Sequence, residues 1–169
     1  MPTGVRAMVE EVSKENEPGN PVVEHLQRQV ANAFVLYTNY KHYHWQTFGP
    51  LFRDLHLLFD ELAKDTLGTI DELAERLRMI GQDPLFDFRR ILETSNVHAA
   101  AKGNSMREMI EEADLNLLTV IKDMRRAARV ADEQEDPGTV DLFAKTVQIH
   151  EKHEWFLREI LKKRDGLTG

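Results

Sequence analysis

Apolar residues recur every three or four positions along four stretches of the chain, with polar residues between them. The first stretch begins at Pro21 and runs to about Gln46, with apolar positions at Val22, Leu26, Val30, Phe34 and Tyr37. The second runs from about Leu51 to Ile80, with Leu55, Leu58, Phe59, Leu62, Leu73 and Leu77. This spacing is typical of helices that bury one face, so it predicts two long amphipathic helices.

Two more stretches with the same period follow a long connection. Ser105 and Glu108 have the spacing of a capping box, in which a serine and a glutamate close the first turn of a helix, so a third helix is predicted from there to about Glu133. A fourth is predicted from about Pro137 to Arg164. Its apolar positions are Leu142, Phe143, Val147, Ile149, Phe156 and Ile160.

Turn-forming residues separate these helices at Gly49-Pro50, Gly81 and Pro137-Gly138. The connection over residues 82–104 is longer than usual within a bundle and carries several apolar residues, so we expect a short helix near residues 86–93. No stretch alternates with the period of a strand. The pattern therefore predicts an all-α four-helix bundle with a long crossover between the second and third helices.

Composition narrows the class of protein. The chain has 169 residues, no cysteine and a formal net charge of −7. One domain over residues 21–165 is expected, preceded by a polar, mobile tail over residues 1–20. Thiolate metal sites are excluded, and no stretch suits a signal peptide or a membrane span, so a cytoplasmic location is predicted. The negative charge argues against non-specific binding of nucleic acid.

The second helix carries a stripe suited to metal binding. Relative to His56, the side chains of Asp60, Asp71 and Glu75 are rotated by about 40°, 60° and 100°, so all four project from one face. One imidazole and three carboxylates form a ligand set that iron accepts. The alternative is a solvated acidic face with surface ion pairs such as Glu72–Arg76.

Distance along the helix prevents one ion from touching the whole stripe. Asp60 lies about 6 Å from His56 along the axis, whereas Asp71 and Glu75 lie about 22 and 28 Å away. Two interpretations remain. The two ends serve different purposes, or a second subunit lies antiparallel across a two-fold axis and brings its own Asp71 and Glu75 to the first subunit's His56 and Asp60.

The spacing His44-Trp45, His56, Asp60, Asp71, Glu75 resembles the ferroxidase signature of the Dps proteins, the miniature bacterial ferritins, and the resemblance covers about residues 22–165. It implies a ferritin-like bundle that assembles into a dodecamer. His44, His56 and Asp60 from one subunit, with Asp71 and Glu75 from its neighbour, would bind iron at each two-fold interface.

The same resemblance implies an activity. The shell would oxidise Fe(II) with hydrogen peroxide as the preferred oxidant, store Fe(III) as a mineral and protect the cell against oxidative stress. Trp45 would lie near the iron and donate an electron when only one ion is bound, although it also suits packing at a subunit contact. Zinc is a possible competitor for the same ligands.

Other histidines and acids receive different interpretations. No glutamate lies three residues before any histidine, which argues against a di-iron centre within one chain. His150 and His153 are predicted to form a surface or interface cluster. By resemblance, Asp132, Asp136 and Asp141 are candidates for lining an acidic channel near a three-fold axis. The alternative is that Asp136 only caps the fourth helix.

DNA binding separates the leading function from its alternative. Many Dps proteins compact DNA through lysine-rich tails, but this tail sets Arg6 and Lys14 against four glutamates, and the other end offers only the short basic run 162–164. Weak or absent DNA binding is therefore expected. The alternative is a DNA-protecting nucleoid protein in which iron binding is secondary.

Overall fold

The computed structural model describes residues 19–101 and 105–162, and every regular element in these residues is a helix. The helices are α1 (Pro21–Gln46), α2 (Phe52–Met79), α3 (Phe88–Thr94), α4 (Met106–Glu133) and α5 (Pro137–Leu161). The all-α bundle with a short helix in its crossover is thus confirmed. Residues 1–18 of the predicted tail and residues 163–165 of the predicted bundle lie outside the described residues.

Local chemistry explains where the helices begin and end. Asn20 caps α1 by accepting a hydrogen bond from the Val22 N–H at 2.8 Å, and Ser105 and Glu108 form both bonds of the predicted capping box. Gly81 follows α2 with a φ of +80°, which a glycine adopts without steric penalty. These caps pair backbone groups that a helix end leaves unbonded.

The long helices pack in two close pairs, α1 with α2 and α4 with α5, and α1 also contacts α4 and α3. The core lies between them and includes Leu26, Val30, Leu36, Phe59, Leu62, Leu73, Leu77, Leu117, Val120 and Phe143. Burying each large apolar side chain contributes about 1.5–3 kcal/mol relative to exposure. None of these helices is both long enough and apolar enough to cross a bilayer.

Buried asparagines on the long helices hold the crossover in place. The side chain of Asn39 accepts a hydrogen bond from the Ala100 N–H and donates one to the His98 carbonyl, both at 2.8 Å. Asn116 accepts from the His98 N–H at 3.0 Å, and Asn32 binds the crossover in the same way. Because buried backbone groups need partners, these amides fix the path between α3 and α4.

The fourth predicted helix buries several positions that its apolar residues do not mark. His150 is 1% exposed and His153 is fully buried, so the prediction of a surface or interface cluster is wrong. Ile149 and Phe156, two of the apolar positions on which this helix was predicted, are only partly buried. The buried positions of α5 follow a helical period that places Thr146 and both histidines in the interior. The charged neighbours of these histidines lie on other faces and concealed that period.

Candidate metal site

Two histidines meet where α1 ends and α2 begins. His44 lies in the last turn of α1 and His56 near the start of α2, and the intervening turn includes Gly49 with a φ of +81°. The His44 Nδ1 lies 2.7 Å from the His56 carbonyl oxygen, and the His56 Nδ1 lies 2.9 Å from the His44 carbonyl oxygen. The two rings stack with their centroids 3.7 Å apart.

These reciprocal contacts determine which ring nitrogens are available. A carbonyl oxygen can only accept a hydrogen bond, so the Nδ1 of each ring must carry the proton and donate it. The Nε2 of each neutral ring then keeps its lone pair for a metal ion. Phe52 stacks on the His56 ring at 5.2 Å and further restricts its orientation. The geometry therefore presents two oriented imidazole groups, suited to bind a metal ion, at one end of α2.

Asp60 lies one turn beyond His56 and is held by two lysines. Its carboxylate contacts the Lys41 Nζ at 2.9 Å and the Lys64 Nζ at 2.7 Å. Hydrogen bonds from Lys64 and Lys41 lower the pKa of Asp60 well below its ordinary value. The group is therefore an anion over the working range of pH, and a cation that binds it must compete with two ammonium groups.

Asp71 and Glu75 are exposed at the other end of α2. Within the described residues neither of them forms an ion pair. The surface pairs that offered an alternative explanation are not formed, because the neighbouring charges pair elsewhere: Glu72 with Lys145, Arg76 with Asp136, and Arg78 with Asp83. The two carboxylates thus remain available to a ligand or to another subunit.

One subunit alone does not complete a metal site. Across residues 19–101 and 105–162, no three histidine or acidic side chains lie close enough together to hold an ion. The structure brings His44 and His56 together, and it leaves the carboxylates of Asp71 and Glu75 separate from them. We call the group formed by His56 and Asp60 of α2, together with the adjacent His44 of α1, the histidine end of α2. Asp71 and Glu75 form its carboxylate end.

Trp45 follows the ligand candidate His44 and projects from the subunit. Its side chain is 67% exposed, and the Lys41 Nζ lies 5.9 Å from the centre of its ring. A large apolar ring with this exposure suits a contact with another subunit as well as a position near the histidine end. Both roles of Trp45 therefore remain predictions.

The predicted channel residues differ in their surroundings. Asp132 and Asp141 are exposed, whereas Asp136 caps α5. The Asp136 Oδ1 accepts hydrogen bonds from the Thr139 N–H at 2.9 Å and from Arg76 at 2.6 Å, and its Oδ2 accepts one from the Thr139 hydroxyl at 2.5 Å. The capping interpretation of Asp136 is thus confirmed, and a channel lined by these residues stays a prediction.

Three interactions near the histidine end had not been identified from the sequence. The pairing of Asp60 with Lys64 has the four-residue spacing of a helical ion pair, so the sequence did contain a sign of it. Lys41 reaches Asp60 from α1, and Tyr43 donates a hydrogen bond to Glu112 on α4. Only the packing of different helices creates these last two contacts.

Comparison with known proteins places the chain in a family. Residues 23–166 match the family described as Ferritin-like domain. The DNA protection during starvation protein of Brevibacillus brevis is 36% identical over 137 residues, which cover 81% of this chain and 92% of that protein.

Solved structures agree with this match. Dps from Thermosynechococcus elongatus is 47% identical, covers 88% of this chain and 94% of its own, and gives a TM-score of 0.85. A Dps protein from Vibrio cholerae O1, described as a member of a broad superfamily of ferritin-like diiron-carboxylate proteins, is 28% identical with a TM-score of 0.79, over 83% of this chain and 89% of its own. The chain therefore belongs to the Dps-type mini-ferritins of the ferritin-like superfamily.

Proposed function

We propose that this protein binds and oxidises ferrous iron at sites shared between two subunits, and that it stores the ferric product inside a hollow homo-oligomer. The observation that carries the proposal is the histidine end of α2, where two imidazoles are anchored through Nδ1 and keep Nε2 for a metal. The description of the Vibrio cholerae relative as ferritin-like and diiron-carboxylate supports iron as the metal.

The shared site follows from the length of α2. Its carboxylate end lies about 22–28 Å from His56, beyond the reach of any single ion. A two-fold axis that sets two copies of α2 antiparallel places Asp71 and Glu75 of each subunit against His44, His56 and Asp60 of the other. Such an interface creates two equivalent sites at once. Oxidation of iron at full rate by an isolated monomer would contradict this arrangement.

Each ligand has a distinct role in the oxidation. The two Nε2 atoms bind Fe(II), and Asp60 joins them when iron displaces Lys41 and Lys64. The carboxylates stabilise the harder Fe(III) product more than Fe(II), so they favour oxidation. Hydrogen peroxide accepts two electrons, one from each of two ferrous ions, and with two protons it yields two water molecules. No hydroxyl radical is released when both electrons are delivered together.

The assembly we propose is a dodecamer with a ferric mineral in its cavity. The exposed Asp132 and Asp141 would raise the local concentration of cations at an entrance near the three-fold axis, while Asp136 caps α5. Trp45 would donate an electron when a site holds a single ion. Zinc suits the same imidazole and carboxylate ligands and would compete with iron.

A DNA-protecting role is the second candidate, because the Brevibacillus brevis relative is named a DNA protection during starvation protein. The charge of this chain argues against tight binding. Its net charge of −7 is multiplied in an oligomer, and Lys162, the first residue of the basic run, pairs with Glu159 at 2.5 Å. We expect no gel shift at neutral pH and moderate salt, and a tight shift there would favour the alternative.

Co-assembly of two inactive variants tests the shared site. One variant carries His44→Ala and His56→Ala, and the other carries Asp71→Asn and Glu75→Gln. Neither variant alone should oxidise Fe(II), whereas particles that are unfolded and reassembled from a mixture should regain activity. In a two-fold pair made of one subunit of each variant, one of the two shared sites carries all four substitutions and the other carries none.

The formation of Fe(III) after addition of peroxide provides the measurement, and sedimentation confirms that each variant assembles. If the mixed particles stay inactive although they contain both subunits, the site is not shared. In a parallel experiment, zinc is added to the unsubstituted protein under anaerobic conditions before Fe(II) and peroxide. The rate of Fe(III) formation should then be lower, since the two ions compete for the same ligands.

A further inference from the structure

A groove lies beside the start of α1, between that helix and the first residues of the crossover. It has a volume of about 580 Å³, and its apolar lining consists of Val23, Pro84, Leu85 and Phe86. Phe86 is 87% exposed, more than any other large apolar residue in the described parts of the chain. Because a large apolar ring is unfavourable in water, this groove suits a partner with an apolar face.

Three arginines give the same groove a cationic border. Arg28 and Arg90 belong to its lining, and Arg89 is exposed next to Arg90. Arg89 and Arg90 form no ion pair with another described residue. Two of the three acids in the lining are already engaged, since Asp83 pairs with an arginine of α2 and Asp87 caps α3. A partner with acidic side chains beside its apolar face would therefore match the groove.

The segment that precedes α1 has both properties. Residues 1–18 lie outside the described residues, but their sequence has apolar residues at helical spacing, namely Val5, Met8, Val9 and Val12. On a helix these four side chains fall within about 100° of one another, whereas the four glutamates at positions 10, 11, 15 and 17 project in other directions. So short a helix is marginal alone in water, so its apolar face needs a surface to pack against.

The geometry of the chain allows this segment to reach the groove. Gly19 has a φ of +102°, a conformation that lets the chain change direction just before α1. The groove follows α1 from Val23 to Arg28, over about 8 Å, and a helix from Val5 to Val12 extends over about 10 Å. Residues 13–18 can span up to about 20 Å, which is enough for the segment to turn back along α1.

We infer that residues 5–15 form an amphipathic helix that docks in this groove of the same subunit. Its apolar positions cover Phe86, and its glutamates lie beside the three arginines. The inference does not depend on iron chemistry, and it replaces the mobile tail expected from composition. Docking has a consequence for partners, because it neutralises arginines that would otherwise attract the phosphates of a nucleic acid.

The absence of cysteine from the chain permits a direct test with introduced thiols. In the assembled protein, the pair Val9→Cys and Phe86→Cys should form a disulfide on mild oxidation, because the two positions would lie in contact. A disulfide within one subunit makes the chain migrate faster on a denaturing gel. The matched control pairs Glu10→Cys, on another face of the predicted helix, with the same Phe86→Cys and should form much less of it.

Two results of the disulfide experiment would overturn the inference. A disulfide between two chains appears as a dimer on the gel and would assign the segment to the groove of a neighbouring subunit. Equal yields from the two pairs would show that the segment samples the groove without docking in it.

Limited digestion with trypsin measures docking without an introduced bond. Mass spectrometry follows cleavage after Arg6 and Lys14, and sedimentation confirms that each variant assembles. Phe86→Ser should accelerate cleavage about tenfold, since burial of a large apolar side chain contributes a free energy of that order. Arg90→Glu should accelerate it less. The matched control Leu92→Ser, at an exposed position of α3 outside the groove, should leave the rate unchanged. Equal rates in all of these proteins would refute docking.

Discussion

Two pairs of histidines in this subunit differ in almost every respect that matters for chemistry. His44 and His56 are half-buried, and each ring donates through Nδ1 to the other residue's carbonyl. His150 and His153 are buried in the bundle, and their Nδ1 atoms have no hydrogen-bond partner in the described part of the chain. The Nε2 of His153 lies 3.1 Å from the Asp65 carboxylate.

The difference shows what makes a histidine available as a ligand. In the first pair, backbone carbonyls fix the tautomer and the orientation of the rings, so the Nε2 of each ring keeps a lone pair that a metal ion can bind. In the second pair, burial keeps the rings neutral. Burial, with a smaller contribution from His153, lowers the pKa of His150 to about 3. The three-residue spacing of His150 and His153 did not reveal that both are buried, because spacing alone does not specify which face of a helix is buried.

Removal of a proposed iron ligand from the first pair should have the largest effect. We expect His56→Ala to lower the rate of peroxide-driven iron oxidation by well over about tenfold, since even changes behind a metal ligand commonly cost 10–100-fold. The measurement is Fe(III) formation by absorbance after addition of peroxide. The matched control is His42→Ala, a histidine of α1 outside both pairs, which should keep near-normal activity. A normal rate in His56→Ala would remove this residue from the site.

The second pair should affect acid stability instead of iron chemistry. The folded-state pKa of His150 lies below its ordinary value of 6.5, so the unfolded chain binds more protons as the pH falls. Stability should therefore decline from about pH 6.5 towards pH 3, by up to about 1.4 kcal/mol per pH unit for each such proton.

Urea unfolding at a fixed subunit concentration across this range measures the decline. His150→Gln cannot take up a proton, so its stability should fall less steeply with acid than that of the unsubstituted protein. Its iron oxidation at neutral pH should remain normal. Equal slopes for the two proteins would show that His150 does not control the acid response.

The lysines on Asp60 provide a smaller test at the histidine end. In the proposed site, iron displaces both ammonium groups from Asp60, so Lys41→Met and Lys64→Met should each tighten binding of Fe(II), by up to about fivefold for a surface ion pair. Anaerobic titration calorimetry measures the affinity. The gain should shrink at high salt, because salt already screens these pairs. Weaker binding in both variants would mean that the lysines support the site.

A change outside both histidine pairs should have the smallest effect. Glu135 lies between α4 and α5 with a φ of +56°, a conformation that is costly for a residue with a side chain. Glu135→Gly should raise the free energy of unfolding by about 1 kcal/mol and leave iron oxidation unchanged. The measurement is the urea midpoint at neutral pH. A lower midpoint would show that the Glu135 side chain stabilises this turn.

Most of the fold could be predicted from local chemistry. The period of apolar residues, the capping box at Ser105 and the glycine at position 81 act within a few residues of one another, so the sequence displays them directly. The predicted ends of the long helices agree with the structure to within about three residues, which is the usual scatter of helix ends. Part of the buried face of α5 was missed because histidine and threonine occupy interior positions that an apolar pattern does not mark.

The sequence by itself determined the four long helices and the stripe of imidazole and carboxylate groups along α2, because helical geometry alone fixes which residues share a face. Tertiary structure decided which nitrogens of His44 and His56 are free, that two lysines hold Asp60, and that His150 is interior. Those properties depend on contacts between residues that lie far apart in the chain or on different helices. No period within one helix encodes such contacts.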